Sequence, residues 1–409
     1  MTRKLYAGPD LSRVQTISEL REIARRRLPD FAWQYIESGS EDEHTLANNR
    51  AAFRDYAFVP NTLVDTSTRD TSIRLFGEHL PTPLIIAPTG FNGLAHPGGD
   101  LALAKAAEKY GLPLTLSSFS NEPLETIAAN SRGRLWMQLY ILENPRITEE
   151  LVKRAEAAGF SALVVTTDAN VSSAREWQRR CYRAPGQLTV RHQLDTALHP
   201  RWLARFARSC MNAGFPRFAN LTSFFPSNDL RATKGAPAVL GQLKPRITWA
   251  DIKRLRDIWS GPLIIKGVLS VEDAKRAHCV GADSIVLTNH GGRQLDDALS
   301  PLRVIGPVKD ALPDMPVLID SGFRRGNDVL KAIGLGATAV LLGRATLYGL
   351  AAAGQSGVER AIQIITGEID RSLGLLGCTH LSAVGKCLIS RNPPHREEHA
   401  LESCAPSAR

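Results

Sequence analysis

The sequence predicts an α/β protein, a (β/α)8 TIM barrel with N-terminal helices and a long insertion after the fourth strand. Helical and strand-like segments alternate through residues 84–342, which indicates a parallel α/β architecture. The candidate strands are apolar almost throughout, as is typical of a parallel sheet with both faces buried. Residues suited to chemistry follow several strands directly, and this favours a closed barrel over an open sheet because barrel active sites lie at strand carboxyl ends.

A weak internal repeat identifies four of the strands. In each copy a helix, a glycine and a short apolar strand follow one another, and the glycines are Gly111, Gly159, Gly281 and Gly336. Glycine suits the position after a helix because it accepts the left-handed conformation. Four further strands are predicted at residues 84–87, 135–139, 263–266 and 317–319, so that eight are expected in all.

The chain is predicted to form one domain, residues 1–409, from parts of different composition. Residues 16–56 are expected to form helices with Thr16 or Ser18 as the first cap, and residues 84–169 and 250–375 to form the barrel. Residues 170–249 are too long for an ordinary loop and contain six prolines, which is typical of a lid or a binding element. The polar tail, residues 390–409, is expected to be mobile.

The net charge of +9 is concentrated in the insertion. Residues 177–249 contain twelve Lys and Arg against Asp195 and Asp229, so this segment carries +10 and the rest of the chain about −1. Together with nine aromatic residues, the charge predicts docking on an anionic membrane surface, where each basic group contributes about 1 kcal/mol. A solvated lid is the alternative. Nucleic acid is not an expected partner, because the sequence indicates no nucleic-acid-binding fold.

Other features indicate a cytoplasmic protein. No stretch approaches the roughly 18 apolar residues of a membrane span, and no apolar run follows the charged N-terminus as in a secretory signal. The six cysteines are scattered without a C-x-x-C pair, so they are expected to be reduced thiols that bind no metal. If the insertion docks on lipid, the expected location is peripheral, at the cytoplasmic face of the membrane.

The strongest local motif is TNHGGR at residues 288–293, directly after a predicted strand. His290 can take a proton while Arg293 binds a carboxylate through its planar fork. Asp168 ends another strand and can orient His290 and stabilise its imidazolium form. A buried histidine in a glycine turn is the alternative interpretation.

Lys266 and two glycine- and arginine-containing loops predict a phosphorylated cofactor. Lys266 closes an apolar strand, where an unpaired ammonium group would be costly to bury, so it can neutralise negative charge on a reduced cofactor. The loops DSGFRRG at 320–326 and Gly343-Arg344 follow two later strands, at the standard phosphate site of such barrels. Tyr35 and Tyr140 offer hydroxyls for a carboxylate or carbonyl oxygen, with ordinary core positions as the alternative.

The sequence resembles the FMN-dependent 2-hydroxy acid oxidases and dehydrogenases over residues 15–175 and 248–385. The resemblance lies in the strings LPDFAWQYIESGSEDEHTL, APTGFNGLAHPGGD, WMQLYI, VVTTD, IIKGVLS, NHGGRQLD, LIDSGFRRG and LLGRATLYGLA. It implies an enzyme with FMN as cofactor that oxidises an (S)-2-hydroxy acid to the 2-oxo acid. It also implies a homotetramer.

The resemblance further implies roles for individual residues. The flavin would be lined by Pro88, Thr89, Gly90, Ser117, Gln138 and Thr166, and Lys266 would face its N1/O2 edge. The cofactor phosphate would be held by Asp320, Gly322, Arg324, Gly343 and Arg344. The substrate carboxylate would be bound by Tyr35, Arg175 and Arg293. Tyr140 would bind on the hydroxyl side, and His290, paired with Asp168, would be the base.

The substrate and the electron acceptor stay open at this stage. SGFRRG and GRATLYGLA most resemble (S)-mandelate dehydrogenases, which predicts oxidation of mandelate to benzoylformate, whereas HPRW at residues 199–202 resembles membrane L-lactate dehydrogenases. Gly90, where oxidases more often have Ala, and the basic insertion favour transfer of electrons to a quinone or another respiratory-chain acceptor. The alternatives are a soluble oxidase that uses O2 and a phosphate-binding barrel without redox activity.

Overall fold

Eight parallel strands close into a barrel in the computed structural model, which describes residues 4–184, 186–225 and 241–391. The strands are β1 (Leu84–Ile86), β2 (Leu114–Ser117), β3 (Leu135–Tyr140), β4 (Ala162–Thr166), β5 (Leu263–Val268), β6 (Ser284–Leu287), β7 (Val317–Ile319) and β8 (Ala339–Leu342). The last pairs with the first through Leu341 and Ile85. The predicted (β/α)8 barrel is therefore confirmed, whereas the predicted mobile tail lies outside the described residues from position 392 onward.

Helices connect the strands on the outside of the barrel. They span Gly99–Lys109, Leu124–Asn130, Pro145–Ala157, Trp249–Ile258, Val271–Cys279, Ile305–Ala311, Gly326–Gly334, Arg344–Ala353 and Gln355–Leu375. The four repeat glycines have φ angles of 65°, 81°, 87° and 109°, so each takes the conformation predicted for the end of its helix. The left-handed backbone conformation of each glycine lets the chain turn back toward the barrel for the next strand.

The interior of the barrel is filled by branched side chains. Alternate residues of the strands, among them Ile85, Val164, Ile264, Val286 and Leu318, pack into one buried cluster. Their neighbours along each strand pack outward against the helices. A hairpin of Ile73–Leu75 and Glu78–Leu80 contributes Leu75 and Leu80 to the inner cluster. The interior of the barrel is thus packed with side chains, and ligands of such barrels bind at the carboxyl ends of the strands.

Helices before the barrel reach the carboxyl ends of the strands. They span Ile17–Arg27, Asp30–Glu37 and His44–Ala51. The first begins at a capping box in which the Thr16 hydroxyl accepts from the Glu19 N–H and the Glu19 carboxylate accepts from the Thr16 N–H. The second carries Tyr35. The prediction that residues 1–409 form a single domain stays a prediction.

The insertion after β4 folds across the same end of the barrel. It contains a short helix Glu176–Arg179, a hairpin of Tyr182–Ala184 and Gln187–Leu188, and two longer helices, Val190–Ala197 and Pro200–Ala213. The Trp202 indole N–H donates to the Leu94 carbonyl over 3.0 Å, which fastens the second long helix to the loop after β1. Among the described residues, no helix combines the length and the apolar character needed to cross a membrane.

Candidate active site

A cavity of about 1280 Å³ lies between the carboxyl ends of the barrel strands and the insertion. Many of the site residues predicted from the sequence line this cavity, although they come from distant parts of the chain. The lining includes Tyr35, Pro88, Thr89, Gly90, Ser117, Tyr140, Thr166, Arg175, Lys266, His290, Arg293, Asp320, Gly322, Arg324, Gly343 and Arg344. Asp168 and Gln138 are not part of the wall, but each contacts a side chain that is.

His290 and Asp168 form a buried pair at the ends of β6 and β4. The distance from His290 Nδ1 to Asp168 Oδ1 is 2.9 Å. Burial is the largest single influence on the pKa of His290 and lowers it, the charge and hydrogen bond of Asp168 oppose this, and the charges of Lys266 and Arg175 add to the lowering, so that the pKa lies below its ordinary value. Burial alone would raise the pKa of Asp168, but the His290 charge and hydrogen bond hold it below its ordinary value. Near neutral pH the pair is therefore a neutral imidazole beside a carboxylate, as general-base chemistry requires.

Backbone geometry sets the direction of both side chains. His290 has a φ of +58°, which is uncommon for a residue other than glycine, and its N–H donates to the Thr288 hydroxyl over 2.9 Å. Gly267 has a φ of +124°, and a Cβ there would lie 3.0 Å or less from the backbone N and the Cβ of Asp168. Only glycine therefore lets the end of β5 lie this close to Asp168.

Lys266 is held in the floor of the cavity by a buried ion pair. Its Nζ lies 2.8 Å from Asp320 Oδ2 and 3.3 Å from the Thr288 hydroxyl, which in turn donates to Asp320. Burial alone would lower the pKa of Lys266, but the charges of Asp320 and Asp168 hold it above its ordinary value. The ammonium group is thus permanently charged and fixed in position beneath the cavity.

Three arginines bring positive charge to one side of the cavity. Arg293 donates to the carbonyls of Tyr35 and Ser38, and Arg344 to those of Ile36, Gly291 and Ser38. Burial, followed by the charges of Arg175 and Arg344, lowers the pKa of Arg293 well below its ordinary value.

The hydrogen bonds of this arginine group run to neutral oxygens. Arg175 donates to the Arg293 carbonyl over 3.1 Å and to the Gln294 side-chain oxygen over 2.9 Å. Carbonyl groups and amides orient a guanidinium without neutralising it. An anion that entered the cavity would relieve the repulsion among these groups and would bind strongly.

Aromatic rings form another part of the cavity wall. The Phe119 ring lies 4.7 Å from the Tyr140 ring and 5.2 Å from the Phe218 ring, measured between centroids. Phe91 lies 4.5 Å from Phe218 and 6.2 Å from Tyr35. The Tyr35 hydroxyl donates to the Gly90 carbonyl over 3.0 Å, and burial raises the pKa of Tyr140, so its phenol is a neutral hydrogen-bond donor.

Polar residues of β2, β3 and β4 form a hydrogen-bonded row on one side of the cavity. Gln138 accepts from the Ser117 hydroxyl over 3.2 Å and donates to the Thr166 hydroxyl over 3.0 Å. Gln138 is buried behind the two hydroxyls and sets their orientation. The row presents polar atoms along an edge suited to a flat heteroaromatic ring.

The ends of β7 and β8 supply a second cationic region. The helix Arg344–Ala353 begins directly after Gly343 without a side-chain cap, so its amino end carries unneutralised partial positive charge. Arg324 donates to the Phe323 carbonyl and the Tyr348 hydroxyl. A Cβ on Gly343 would have only the Ala87 Cβ within 4 Å, at 3.9 Å, so there is room beside this helix end. A phosphate group fits these donors.

Several side chains at the site were not among the residues predicted from the sequence. Gln294 joins two site residues, because it accepts from Arg175 and donates to the Asp168 carbonyl over 2.9 Å. It stands in the motif NHGGRQLD, which was the only signal for it. Phe218 comes from the insertion, where no pattern marked it.

A buried carboxyl behind the loop after β1 was also missed. Asn92 donates to Asp100 over 2.6 Å and to the Thr89 carbonyl over 2.9 Å, and it accepts from the Thr89 hydroxyl over 2.9 Å. Burial and then the charge of Glu122 raise the pKa of Asp100 to about 7. Asp100 therefore positions Thr89, a predicted cofactor contact, without itself reaching the cavity.

Comparison with known proteins identifies the family. The sequence model of the FMN-dependent dehydrogenases matches residues 24–391. The chain belongs to this family. The family predicted from the sequence motifs and FMN as the cofactor are therefore confirmed.

Individual FMN-dependent dehydrogenases resemble the chain over most of its length. It is 40% identical to (S)-mandelate dehydrogenase of Pseudomonas putida over 391 residues, 95% of each chain. It is 37% identical to L-lactate dehydrogenase of Actinobacillus pleuropneumoniae over 372 residues, 91% of this chain and 97% of that one. A crystal structure described as monotopic membrane protein (S)-mandelate dehydrogenase superposes with a TM-score of 0.87 and 40% identity, over 92% of this chain and all of that one.

The cavity suits FMN in the chemistry of its donors. The Ser117, Gln138 and Thr166 row and the Lys266 ammonium group offer partners for the polar edges of a flavin ring. A phosphate site lies near the carboxyl ends of β7 and β8. It is formed by Arg324 and the amino end of the helix that starts at Arg344. The separation of a ring-binding region from an anion-binding region matches the two ends of the cofactor.

Proposed function

We propose that the protein oxidises (S)-mandelate to benzoylformate with FMN as the electron acceptor in the cavity. The observation that carries this proposal is the neutral His290, paired with Asp168 at 2.9 Å, beside the cationic arginines and the aromatic wall. A 2-hydroxy acid with an aryl group needs all three: a base, a carboxylate site and an apolar surface. The relative from Pseudomonas putida and the crystal structure with a TM-score of 0.87 both bear the name (S)-mandelate dehydrogenase.

Separate residues of the cavity bind the substrate and accept its proton. Arg175 and Arg293 bind the substrate carboxylate, and the Tyr35 hydroxyl supports it, so that the reacting carbon is held in one orientation. With Asp168 ionised, the hydrogen bond at Nδ1 places the imidazole proton there and leaves Nε2 of His290 as the proton acceptor. Bound FMN supplies the two-electron acceptor for the oxidation.

Three further groups support the reaction from the cavity wall. Nε2 of His290 takes the proton that the hydroxy acid loses, and Asp168 stabilises the imidazolium that results. The Tyr140 phenol donates to the substrate oxygen that becomes the carbonyl. Lys266 balances negative charge that accumulates at the floor of the cavity.

Anaerobic bleaching of the yellow flavin across a panel of hydroxy acids tests the activity. (S)-Mandelate should bleach the absorption rapidly, whereas (R)-mandelate and mandelamide should not, because neither places a carboxylate on the arginines with the correct hydrogen toward the flavin. Substituting Phe218 with Ala should lower kcat/KM for mandelate by roughly tenfold or more, since an aromatic contact of this kind contributes about 1 kcal/mol beyond the buried area. Lack of bleaching by mandelate would refute the proposal.

L-Lactate is the second candidate substrate. The 37% identity to an L-lactate dehydrogenase over 91% of the chain favours it. The same panel separates the two candidates, because lactate has only a methyl group to place against Phe119 and Phe218. A kcat/KM for lactate that exceeds the value for mandelate, and that Phe218→Ala leaves unchanged, would select lactate.

The basic insertion is proposed to dock on an anionic membrane surface, where electrons pass to a quinone or another respiratory-chain acceptor. Val190, Leu194 and Leu198 lie one turn apart along one helix and are 65%, 64% and 79% exposed. The next helix exposes Arg201, Arg205 and Arg208. Exposed apolar side chains beside a basic face are typical of peripheral membrane binding, and one related structure is described as a monotopic membrane protein.

Sedimentation with lipid vesicles tests the docking. The protein should pellet with phosphatidylglycerol vesicles at low salt, and the triple variant R201E/R205E/R208E should not. A triple variant of basic residues outside the insertion, K153E/K275E/R371E, is the control and should still pellet. Equal binding by both variants would contradict docking through the insertion. Peroxide yield during turnover in air distinguishes a dehydrogenase, with little peroxide, from an oxidase.

The assembly and the cellular location remain proposals of the same kind. A homotetramer at the cytoplasmic face is proposed from the family resemblance, and light scattering of the purified holoenzyme tests the assembly. A monomeric mass would contradict it.

A further inference from the structure

A second cluster of chemically reactive side chains lies outside the cavity wall. Asp30 begins the helix that carries Tyr35, Cys181 precedes the hairpin of the insertion, and His192 lies on the first long helix of the insertion. One ligand atom from each of the three residues lies within 4.8 Å of the others. Cys181 is 1% and His192 is 8% exposed. Among the described residues, this is the one group of three or more His, Cys, Asp and Glu side chains that meets such a distance limit.

We propose that Asp30, Cys181 and His192 bind a zinc ion that joins the insertion to the N-terminal helices. A thiolate, an imidazole and a carboxylate are the ligands that Zn²⁺ takes in proteins. Zn–S and Zn–N distances of about 2.3 and 2.0 Å place tetrahedral ligand atoms roughly 3.5 Å apart. His192 Nε2 and Asp30 Oδ2 already lie 3.1 Å apart, and the Cys181 sulfur lies within 4.8 Å of its two partners, so changes of side-chain rotamer can bring the three ligand atoms to these distances.

The surroundings of His192 suit a metal ligand. Its Nδ1 lies 2.6 Å from the Thr189 hydroxyl, and its Nε2 lies 3.1 Å from Asp30 Oδ2. Metal-binding histidines bond their second ring nitrogen to an oxygen in this way, which fixes the tautomer and the ring orientation. A cation would replace the hydrogen atom that now lies between Nε2 and the carboxylate.

Asp195 is a second carboxylate next to Asp30 and the proposed zinc site. It lies three residues after His192, on the same face of the helix, and its Oδ2 accepts from the Asp30 N–H over 2.7 Å. The fourth position of a tetrahedron is thus left to water or to the Asp195 carboxylate. Two carboxylates and one thiolate would offset the charge of the cation in this basic part of the chain.

The charge around Cys181 favours a bound cation over a free thiolate. The Asp30 carboxylate lies within 4.8 Å of the Cys181 sulfur, and the Asp195 carboxylate is hydrogen-bonded to the Asp30 N–H, so two acidic groups lie beside the thiol. Zn²⁺ displaces the thiol proton when it binds. A metal here differs from the expectation, drawn from the scattered cysteine spacing, that none of the cysteines binds one.

The site would have a structural role in closing the cavity. Phe31, next to Asp30, contacts Trp202 edge to face with 5.6 Å between ring centroids, and Tyr182, next to Cys181, lines the cavity. A zinc ion would therefore fix the insertion over the cavity at a point where the hydrogen bonds of Asp30 to His192 and Asp195 already join the two segments. None of the three ligands lines the cavity, so loss of zinc would loosen the lid without removing a group that contacts substrate.

Metal analysis of the untagged, FMN-loaded holoenzyme tests the site directly. Protein produced in zinc-supplemented medium should contain about one zinc ion per chain, as expected of a structural site. Protein reconstituted with Co²⁺ should show d–d absorption at wavelengths beyond the flavin bands, because tetrahedral cobalt with a thiolate ligand absorbs there. Absence of both zinc and the cobalt bands would overturn the proposal.

Substitutions assign the signal to these residues. C181S and H192A should each lose the zinc and the cobalt bands, whereas C279S, at an exposed cysteine, should retain both. A zinc chelator should lower the Tm of the wild-type holoenzyme and leave the Tm of C181S unchanged. Zinc that persists in C181S and H192A would place the metal elsewhere and refute the site, even if either variant were less stable.

Discussion

His290 Nδ1 lies 2.9 Å from Asp168 Oδ1 across 122 residues of sequence. The second oxygen of this carboxylate, Oδ2, is buried and has no hydrogen-bond partner among the described residues. The charges of His290 and Lys266 both lower the pKa of Asp168, so the imidazole and a nearby ammonium group keep the carboxylate ionised. Such a carboxylate favours the protonated imidazole that forms during the reaction.

Replacing Asp168 with Asn should slow flavin reduction by roughly a hundredfold or more, because the imidazole loses its orientation and the charge that stabilises its protonated form. Asp168 raises the pKa of His290, against the larger lowering by burial. The acidic limb of the rate profile, which marks protonation of His290, should therefore move to lower pH. Stopped-flow reduction by mandelate between pH 5 and 9 measures both effects. An unmoved limb would argue that Asp168 does not act on this histidine.

Replacing Arg293 with Lys should weaken binding of carboxylate ligands by about 2 kcal/mol, roughly thirtyfold, because a lysine cannot reproduce the forked hydrogen bonds of a guanidinium. Titration of the flavin spectrum with benzoate measures the dissociation constant. Arg180→Lys is the matched control, since Arg180 pairs with Glu176 on the surface and should show no change. Equal benzoate affinity in both variants would remove Arg293 from the carboxylate site.

Replacing Lys266 with Met should lower the free energy of unfolding by about 3–5 kcal/mol, because Asp320 then lies buried without its partner. The double variant K266M/D320N should recover much of this loss, since it removes the unpaired charge as well. Urea denaturation of the flavin-free proteins measures stability apart from cofactor binding. If the double variant were no more stable than K266M, the ion pair at 2.8 Å would not be the cause.

The Asp100 carboxyl should make the protein progressively less stable as the pH rises from about 4 to about 7. Its pKa is near 3.8 in the unfolded chain and about 7 in the folded protein. The folded state therefore binds more protons between these values, and the free energy of unfolding should fall by up to about 4 kcal/mol as pH rises from 4 to 7.

Urea denaturation of Asp100→Asn between pH 5 and 8 tests this dependence. The variant should lose most of the decline, because its side chain does not ionise. Asp310→Asn, at an exposed position in the helix Ile305–Ala311, should retain it. The same decline in both variants would assign the pH dependence to other groups.

Local patterns explain how much of the molecule could be predicted from sequence. The strands of the barrel are recognisable because both of their faces are buried, and the glycines at 111, 159, 281 and 336 mark the helix ends. His290 and the loop at Asp320 follow strands, and Lys266 lies toward the carboxyl end of β5, so barrel geometry alone places them at one end.

Residues whose role depends on tertiary contacts could not be predicted. Asp100 lies in a helix, and only the folded chain brings it to Asn92 and thus behind Thr89. Phe218 reaches the cavity because the insertion folds back over the barrel, and its position in the sequence has no periodicity that would indicate this. Asp30 and Cys181 are far apart in the sequence, so their proximity in the folded chain could not be predicted either.

Arg344 bonds to the carbonyls of Ile36 and Ser38, which precede it by more than 300 residues. The guanidinium that completes the anion-binding region is therefore oriented by a segment from the opposite end of the chain. During synthesis on the ribosome, this arrangement cannot form until almost the whole barrel has emerged. Flavin capture is consequently expected late in biogenesis, and a protein truncated before Arg344 should accumulate colourless even where the earlier strands have folded.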